Sequence, residues 1–236
     1  MPRTFVVIPT YNEVGNLPEL LRQIMAQPLP GVEVLIVDDN SPDGTAQEAE
    51  RQAERYGGRV HVLRRPGRMG LGTAYVEGFR WALDHGADYV AEMDADLSHG
   101  PEYLPALVSA MGDHDVAVGS RWTAGGGADR GWGLGRRALS RGGSLFARLV
   151  LGLKVKDATT GFKCFRREAL QALDLGGVKS QGFAFQVEMA YACQRKGLRV
   201  VEVPIRFRTR ARGRSKLSAR IILEALWRVV AIRFRG

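Results

Sequence analysis

Residues 4–8, Thr-Phe-Val-Val-Ile, are a compact apolar, β-branched run that reads as a buried strand. The same pattern returns at residues 32–37, 60–63, 89–93 and 116–119. Between these runs the period changes. Leu17, Leu20, Leu21, Ile24 and Met25 recur at helical spacing, as expected for a helix with one buried face. Further helices are predicted from residue 45 to about Tyr56, and over 70–85 and 101–111.

Strand and helix in alternation predict an α/β fold with a mainly parallel sheet and helices on both faces. In such sheets ligands gather beyond the carboxyl ends of the strands. Three polar clusters fall at those ends: Tyr11-Asn12-Glu13, Asp38-Asp39 and Asp94-Ala95-Asp96. The topology therefore predicts that they converge.

After residue 122 the pattern loosens. Glycines at 125–127 and over 131–135 predict a loop. Helices are expected over 140–153 and 183–195, one strand over 199–207, and a last helix over 217–232 with Leu217, Ile221, Ala225 and Val229 on one stripe. No repeat or linker divides the chain. One domain over 1–236 is expected, with a nucleotide-binding half (1–122), an acceptor half (123–216) and a basic amphipathic C-terminal helix (217–236).

Composition changes little in this picture. The 236 residues are 45% hydrophobic and 25% charged, as in an ordinary globular protein. Cys164 and Cys193 show no disulfide or zinc spacing, which fits a reducing compartment. No stretch approaches the roughly 20 apolar residues needed to span a bilayer. The expected location is the cytoplasm.

Charge changes more. The net charge is +9, and residues 205–236 carry ten basic residues against Glu224 alone, so they hold all of it. A basic end on a neutral body points to an acidic partner: phosphate, anionic lipid or nucleic acid. The chain lacks the interleaved aromatics of a nucleic-acid module, so no nucleic-acid partner is expected.

Asp94 and Asp96, one residue apart at a strand end, can reach one hard cation if the chain bends there; magnesium and manganese favour such oxygen ligands. A solvated turn would use the same residues. Asp39 can accept hydrogen bonds from a base or ribose, while Ser41 or Asp43 caps the following helix. Gly67 to Gly72 reads as a turn and a close helix approach, not a phosphate loop. The basic stretch at 210–216 has the charge and arginine forks to cradle phosphates. His99 is read as a local hydrogen-bonding residue.

These motifs resemble glycosyltransferase family 2 of GT-A fold, and within it the polyprenol (dolichol) phosphate mannose synthases. The shared features are Pro9-Thr10-Tyr11-Asn12-Glu13, Asp38-Asp39-Asn40-Ser41-Pro42-Asp43-Gly44-Thr45, Asp94-Ala95-Asp96-Leu97-Ser98-His99, Gly161-Phe162-Lys163, the stretch from Gly182 to Glu188, and Arg210 to Leu217. The resemblance implies mannose transfer from GDP-mannose to a polyprenyl monophosphate, with inversion and with Mg2+ or Mn2+. A UDP-glucose or UDP-N-acetylglucosamine donor remains open. It implies nucleotide-sugar contacts at Pro9, Tyr11, Glu13, Val37, Asp39, Asp94, Ala95, Asp96, Arg121, Arg210 and Lys216. Acceptor phosphate falls to Arg121, Arg136 and Arg210, catalysis to Asp96, Arg121 and Arg210, and metal to Asp94, Asp96 and Ser98. Some relatives carry C-terminal transmembrane helices, absent here. The basic helix is read in two ways: it rests on the cytoplasmic face of the membrane, alone or with an anchoring partner of unknown identity, or it packs on the core with its charges in water.

Overall fold

The structure is a computed structural model that describes residues 2–129, 131–209 and 219–235. Seven strands form the main sheet in the order β3-β2-β1-β4-β7-β5-β8. They are β1 (Thr4–Thr10), β2 (Val32–Asp38), β3 (Val60–Arg64), β4 (Tyr89–Glu92), β5 (Val116–Ser120), β7 (Lys163–Arg166) and β8 (Val200–Pro204). All pairings are parallel except those of β7, which runs antiparallel between β4 and β5. Two short strands, β6 (Gly127–Ala128) and β9 (Arg206–Phe207), form a separate parallel ribbon.

Alternation along the central strands sorts the core. Val6 and Ile8 of β1 and Val34 and Ile36 of β2 pack on one face with α1 (Leu17–Met25), α2 (Thr45–Arg55) and α4 (Leu104–Ser109). Phe5, Val7, Leu35 and Val37 point to the other face, against α3 (Leu71–Asp84), α6 (Arg167–Ala172) and α7 (Gly182–Arg195). This is the period-2 rule of a sheet covered on both sides. A third cluster joins α5 (Leu134–Leu151), α7 and α8 (Ala219–Arg235) through Ala147, Leu151, Val187, Tyr191, Val229 and Ile232.

Four local expectations need correction. The strand expected over 199–207 is two strands in different sheets, broken after Pro204, whose ring nitrogen has no hydrogen to give a ladder. The helix expected over 101–111 is α4 between two single tight turns. The helix expected to begin at residue 140 begins at Leu134, because Arg137 Nη2 ties its first turn to the carbonyls of Ala128 and Asp129. β6, where the glycines predict a loop, β7 and α6 are not among the expected elements. Strands β7 and β8, from the 123–216 portion, complete the same sheet as the first half.

Gly72 shows why the helix after residue 70 needs glycine. A Cβ there would lie 2.4 Å from the carbonyl oxygen of Ser180. The expected close helix approach is therefore a contact between α3 and the segment leading into α7.

Candidate active site

The carboxyl ends of β1, β2, β4, β5 and β8 and the start of β7 share one edge of the sheet, so the predicted clusters do converge there. Asp38 is wholly buried and structural. It accepts hydrogen bonds from Thr10 Oγ1 (2.9 Å), Ser41 N (2.8 Å) and Ser41 Oγ (2.6 Å). Asp43 accepts from Val14 N and Thr45 N, joining the loop after β1 to the start of α2. Glu13 accepts a 2.7 Å bond from Asn16 Nδ2.

Ser41 does not cap α2, as it donates to Asp38, and the N-cap position falls to Gly44 with no side-chain cap. Asp39 is also clear of capping, as the sequence suggested. It is held instead by Arg65, whose Nη1 bonds Asp39 Oδ1, and by Gly70 N at 3.2 Å. Arg65 also donates to Glu77 (2.9 Å) and to Thr73 Oγ1 (2.6 Å). Sequence reasoning missed Arg65, although the register sets its neighbour Arg64 beside Asp38. Val37 is wholly enclosed, because its side chain points to the α3 face, so it supports the site from below and does not line it. Pro9 and Tyr11 are partly exposed, and the Arg68 guanidinium lies 4.7 Å from the Tyr11 ring.

β4 ends at Glu92, and the chain then bends through Asp94-Ala95-Asp96 with Leu97 at φ +63°. Such a φ is uncommon outside glycine. It turns the chain directly after the two aspartates. The Asp94 side chain is 38% exposed, while Asp96 is nearly buried. Ser98 donates to Asp96 Oδ1 through both its N–H (2.9 Å) and its hydroxyl. Ser98, expected as a third ligand, thus sits buried and orients Asp96. Among the described residues no three His, Cys, Asp or Glu side chains gather into a metal cluster.

His99 is buried, and its Nδ1 faces the Asp94 N–H at 3.4 Å. Burial pushes its pKa down to about 4, so the ring is neutral and brings no positive charge to the carboxylates. The buried Tyr75 phenol, with its pKa raised by burial, lies 3.4 Å from Asp94 Oδ1 as a neutral donor.

Beneath the pair lies an ion cluster the sequence did not reveal. Lys163 of β7 stands opposite Glu92 of β4. Its Nζ donates to Glu92 Oε1 (2.7 Å), to the Thr160 carbonyl (2.7 Å) and to Gln186. Burial holds the Glu92 pKa above its ordinary value, and Lys163 offsets only part of that rise. The Gly161-Phe162-Lys163 motif and Gln186 serve this buried support.

The basic side is built on β5. Arg121 forks onto Asp157 with two 2.7 Å bonds and reaches Thr159 Oγ1 at 3.0 Å. Its guanidinium lies 5.2 Å from the Phe207 ring and 5.8 Å from Trp132; Arg136 lies 4.4 Å from Trp132. Phe207 also meets His99 edge-on at 4.9 Å. The β9 aromatic therefore bridges the carboxylate side and the arginine side. Arg208 fixes β9 to the aspartate loop through its N–H to Ser98 O and its side chain to Glu102. Arg210 and Lys216 lie outside the described residues.

Residues 5–174 match the family model described as Glycosyl transferase family 2. The chain is 44% identical to an undecaprenyl-phosphate mannosyltransferase of Micrococcus luteus, over 99% of this chain and 97% of that one. It is 43% identical to a polyprenol monophosphomannose synthase of Mycolicibacterium smegmatis, over 99% of this chain and 88% of that one. A solved structure of the mannosyltransferase PcManGT from Pyrobaculum calidifontis, with GDP-Man and Mn2+, superposes with a TM-score of 0.66 at 22% identity, covering 100% of this chain and 65% of the other.

Proposed function

The chain belongs to glycosyl transferase family 2, and on that premise we propose that it moves mannose from GDP-mannose to a polyprenyl monophosphate with inversion at the anomeric carbon. The observation that carries this reading is the near-full-length likeness to two prenyl-phosphate mannosyltransferases. It spans both the carboxylate side of the site and the arginine side.

The reading assigns the nucleoside to the surface beside Tyr11, Glu13 and the Asp39–Arg65 pair. Asp94 and Asp96 would hold a divalent ion. Their fit is chemical: two carboxylates at one bend, one of them oriented by Ser98, offer hard oxygen donors that suit magnesium and manganese alike. When bound, such an ion neutralises charge on the leaving diphosphate.

The chain's own residues do the rest by positioning. A phosphate monoester has a second pKa near 6, so it is largely ionised at neutral pH and needs no general base. Arg121 and Arg136, both against Trp132, are proposed to hold the acceptor phosphate. Arg210 and Lys216 are assigned to the same two phosphate groups. Alignment of two anions held against their repulsion is then the main contribution to rate.

Among the described residues no helix is long and apolar enough to cross a membrane. The basic α8 end is proposed to face the lipid acceptor.

The test is transfer of radiolabelled sugar from GDP-mannose and from UDP-glucose to a polyprenyl phosphate, with magnesium or manganese. Transfer from GDP-mannose is expected. Transfer from the uridine donor alone would overturn the donor assignment. Asp96→Asn is expected to abolish transfer without unfolding the protein, and full activity would remove Asp96 from the metal site.

A further inference from the structure

Arg121 is held by more than a side-chain fork. Asp157 Oδ2 also accepts the Arg121 backbone N–H at 2.9 Å, so one wholly buried carboxylate fixes both the main chain and the guanidinium. The place of that carboxylate is set in turn by whatever holds residue 157.

Residues 152–157 leave the end of α5 and pass from α7 to β8, tied at both ends. Gln194 of α7 ties the first part: its Nε2 donates to the Gly152 carbonyl (2.9 Å) and its Oε1 accepts from Lys154 N (2.8 Å). Glu202 of β8 ties the last part: Oε2 accepts from Lys156 N (3.0 Å) and Oε1 from Asp157 N (3.1 Å). Leu153 and Ala158 are packed into the third core cluster on either side. Between them the segment does not lie flat on the sheet. A cavity of about 360 Å3 lies between it, α7 and β8, with Val118, Val155, Val200 and Glu202 in its lining. Atoms that face a void lose their packing partners there. The polar ties therefore set the height of residues 156 and 157.

The register shows why β8 carries an acid at this position. Glu202 pairs with Val118 of β5, three residues before Arg121. Val200 shares the face of Glu202 and packs beside α7. At 202 that core gives way to the cavity, and the carboxylate reaches two successive N–H groups. A carboxylate offers both its oxygens to two donors; a glutamine offers one acceptor and one donor.

We propose that Glu202 is a positioning residue for sugar transfer: through the Lys156 and Asp157 N–H groups it places the Asp157 carboxylate, and through Asp157 the Arg121 guanidinium. The purpose of this link rests on the mannosyl-transfer reading; the link itself does not.

Glu202→Gln tests it, because it keeps the size of the side chain and turns one acceptor into an NH2 that faces an N–H. A misplacement of about 1 Å can cost about 100-fold in rate. With one of the two ties kept, kcat for mannose transfer to a polyprenyl phosphate should fall about tenfold, with acceptor KM kept within about twofold. In an Arg121→Lys background the same substitution should cost less than about twofold, since the fork it acts through is already gone. Gln194→Met removes both ties at the end of the segment remote from Asp157 and should leave kcat unchanged, even if it lowers the thermal melt as much. Glu202→Asp keeps both acceptors on a shorter stem and carries the same measurements should Glu202→Gln fold poorly.

A second readout needs no substrate. The Arg121 Nε–H, assigned in NMR spectra by its loss in Arg121→Lys, should exchange with solvent slowly in wild type. It should exchange at least about tenfold faster in Glu202→Gln and at the wild-type rate in Gln194→Met.

Full kcat in Glu202→Gln, an equal loss in Gln194→Met, or an undiminished loss in the Arg121→Lys background would overturn the proposal. So would unchanged Nε–H exchange in Glu202→Gln, whatever the activities. A wild-type protein that transfers sugar from no donor, yet loses Arg121 protection in Glu202→Gln, would instead sink the mannosyl-transfer reading and leave the link standing.

Discussion

Arg65 offers the sharpest single perturbation. Its side chain is 0% exposed and that of its partner Asp39 is 9% exposed, so solvent screens the pair little. Arg65→Met keeps the length and apolar stem and deletes the charge. It strands the Asp39 carboxylate beside Gly70 N as its one remaining described donor. Removing one partner of a buried pair costs about 3–5 kcal/mol, because the other charge is left uncompensated. The bond to Thr73 adds about 1 kcal/mol. The ion pair to Glu77 adds little, since that carboxylate is nearly half exposed. The expected loss is therefore about 4–6 kcal/mol, read as the urea midpoint followed by tryptophan fluorescence. The double variant Arg65→Met/Asp39→Asn removes the stranded charge and should recover more than half of that loss. GDP affinity should fall in both, because Asp39 is proposed to meet the nucleoside. A loss below about 1 kcal/mol in Arg65→Met, or a double variant no better than the single, would refute the claim that this arginine holds the nucleoside side together.

Three further predictions follow the same logic. Ser98→Ala removes the hydroxyl that orients Asp96 and should raise the metal concentration needed for half-maximal transfer about 10–100-fold with no change in the thermal melt; an unchanged metal titration would leave Ser98 as packing alone. Lys163→Met strands the buried Glu92 and should cost about 3–5 kcal/mol in denaturant melts, with Glu92→Gln restoring much of it, whereas a near-neutral single variant would deny that this cluster supports the aspartates. Cys164 and Cys193 are buried with thiols pushed up to about 12, so neither should react with a thiol reagent at pH 8 in the folded protein and both should react in guanidinium; prompt labelling of the native chain would contradict the packing around β7 and α7.

What was legible in the sequence was whatever announces itself through period. The runs at 4–8 and 32–37 are strands because every side chain in them enters a core on one face or the other, and that leaves an apolar signature. The aspartate clusters were legible for a topological reason: parallel strands must end on the same edge. β7 was not legible because Lys-Cys-Phe-Arg is only four residues long and opens on a cation. A lysine reads as surface, yet Lys163 is buried because a partner 71 residues away in sequence neutralises it. Arg121 and Asp157 are likewise 36 residues apart, with no spacing to connect them. The start of α5 was hidden by glycines that read as loop. The arginine pinned to β6 outweighs a helix penalty of about 1 kcal/mol per glycine.

The Arg121–Asp157 fork also redistributes the charge that the reaction requires. Two of the three guanidinium nitrogens of Arg121 bond to Asp157, so the pair together is close to neutral at a distance. Its proposed contribution to an anionic acceptor is then local: a fixed planar donor beside the Phe207 and Trp132 rings, not a long-range field. The field that draws two phosphate-bearing substrates together has to come from cations outside this pair. Arg136 stands on the exposed first turn of α5, and the C-terminal 32 residues carry the whole net charge of the chain. Arg121→Lys should therefore lower kcat far more than it raises KM for the acceptor, since a lysine keeps the charge and loses the fork. Arg136→Gln should do the reverse, raising acceptor KM in a salt-dependent way with kcat largely kept. If both variants changed only KM, Arg121 would be a second steering charge and the fork to Asp157 would have no part in alignment.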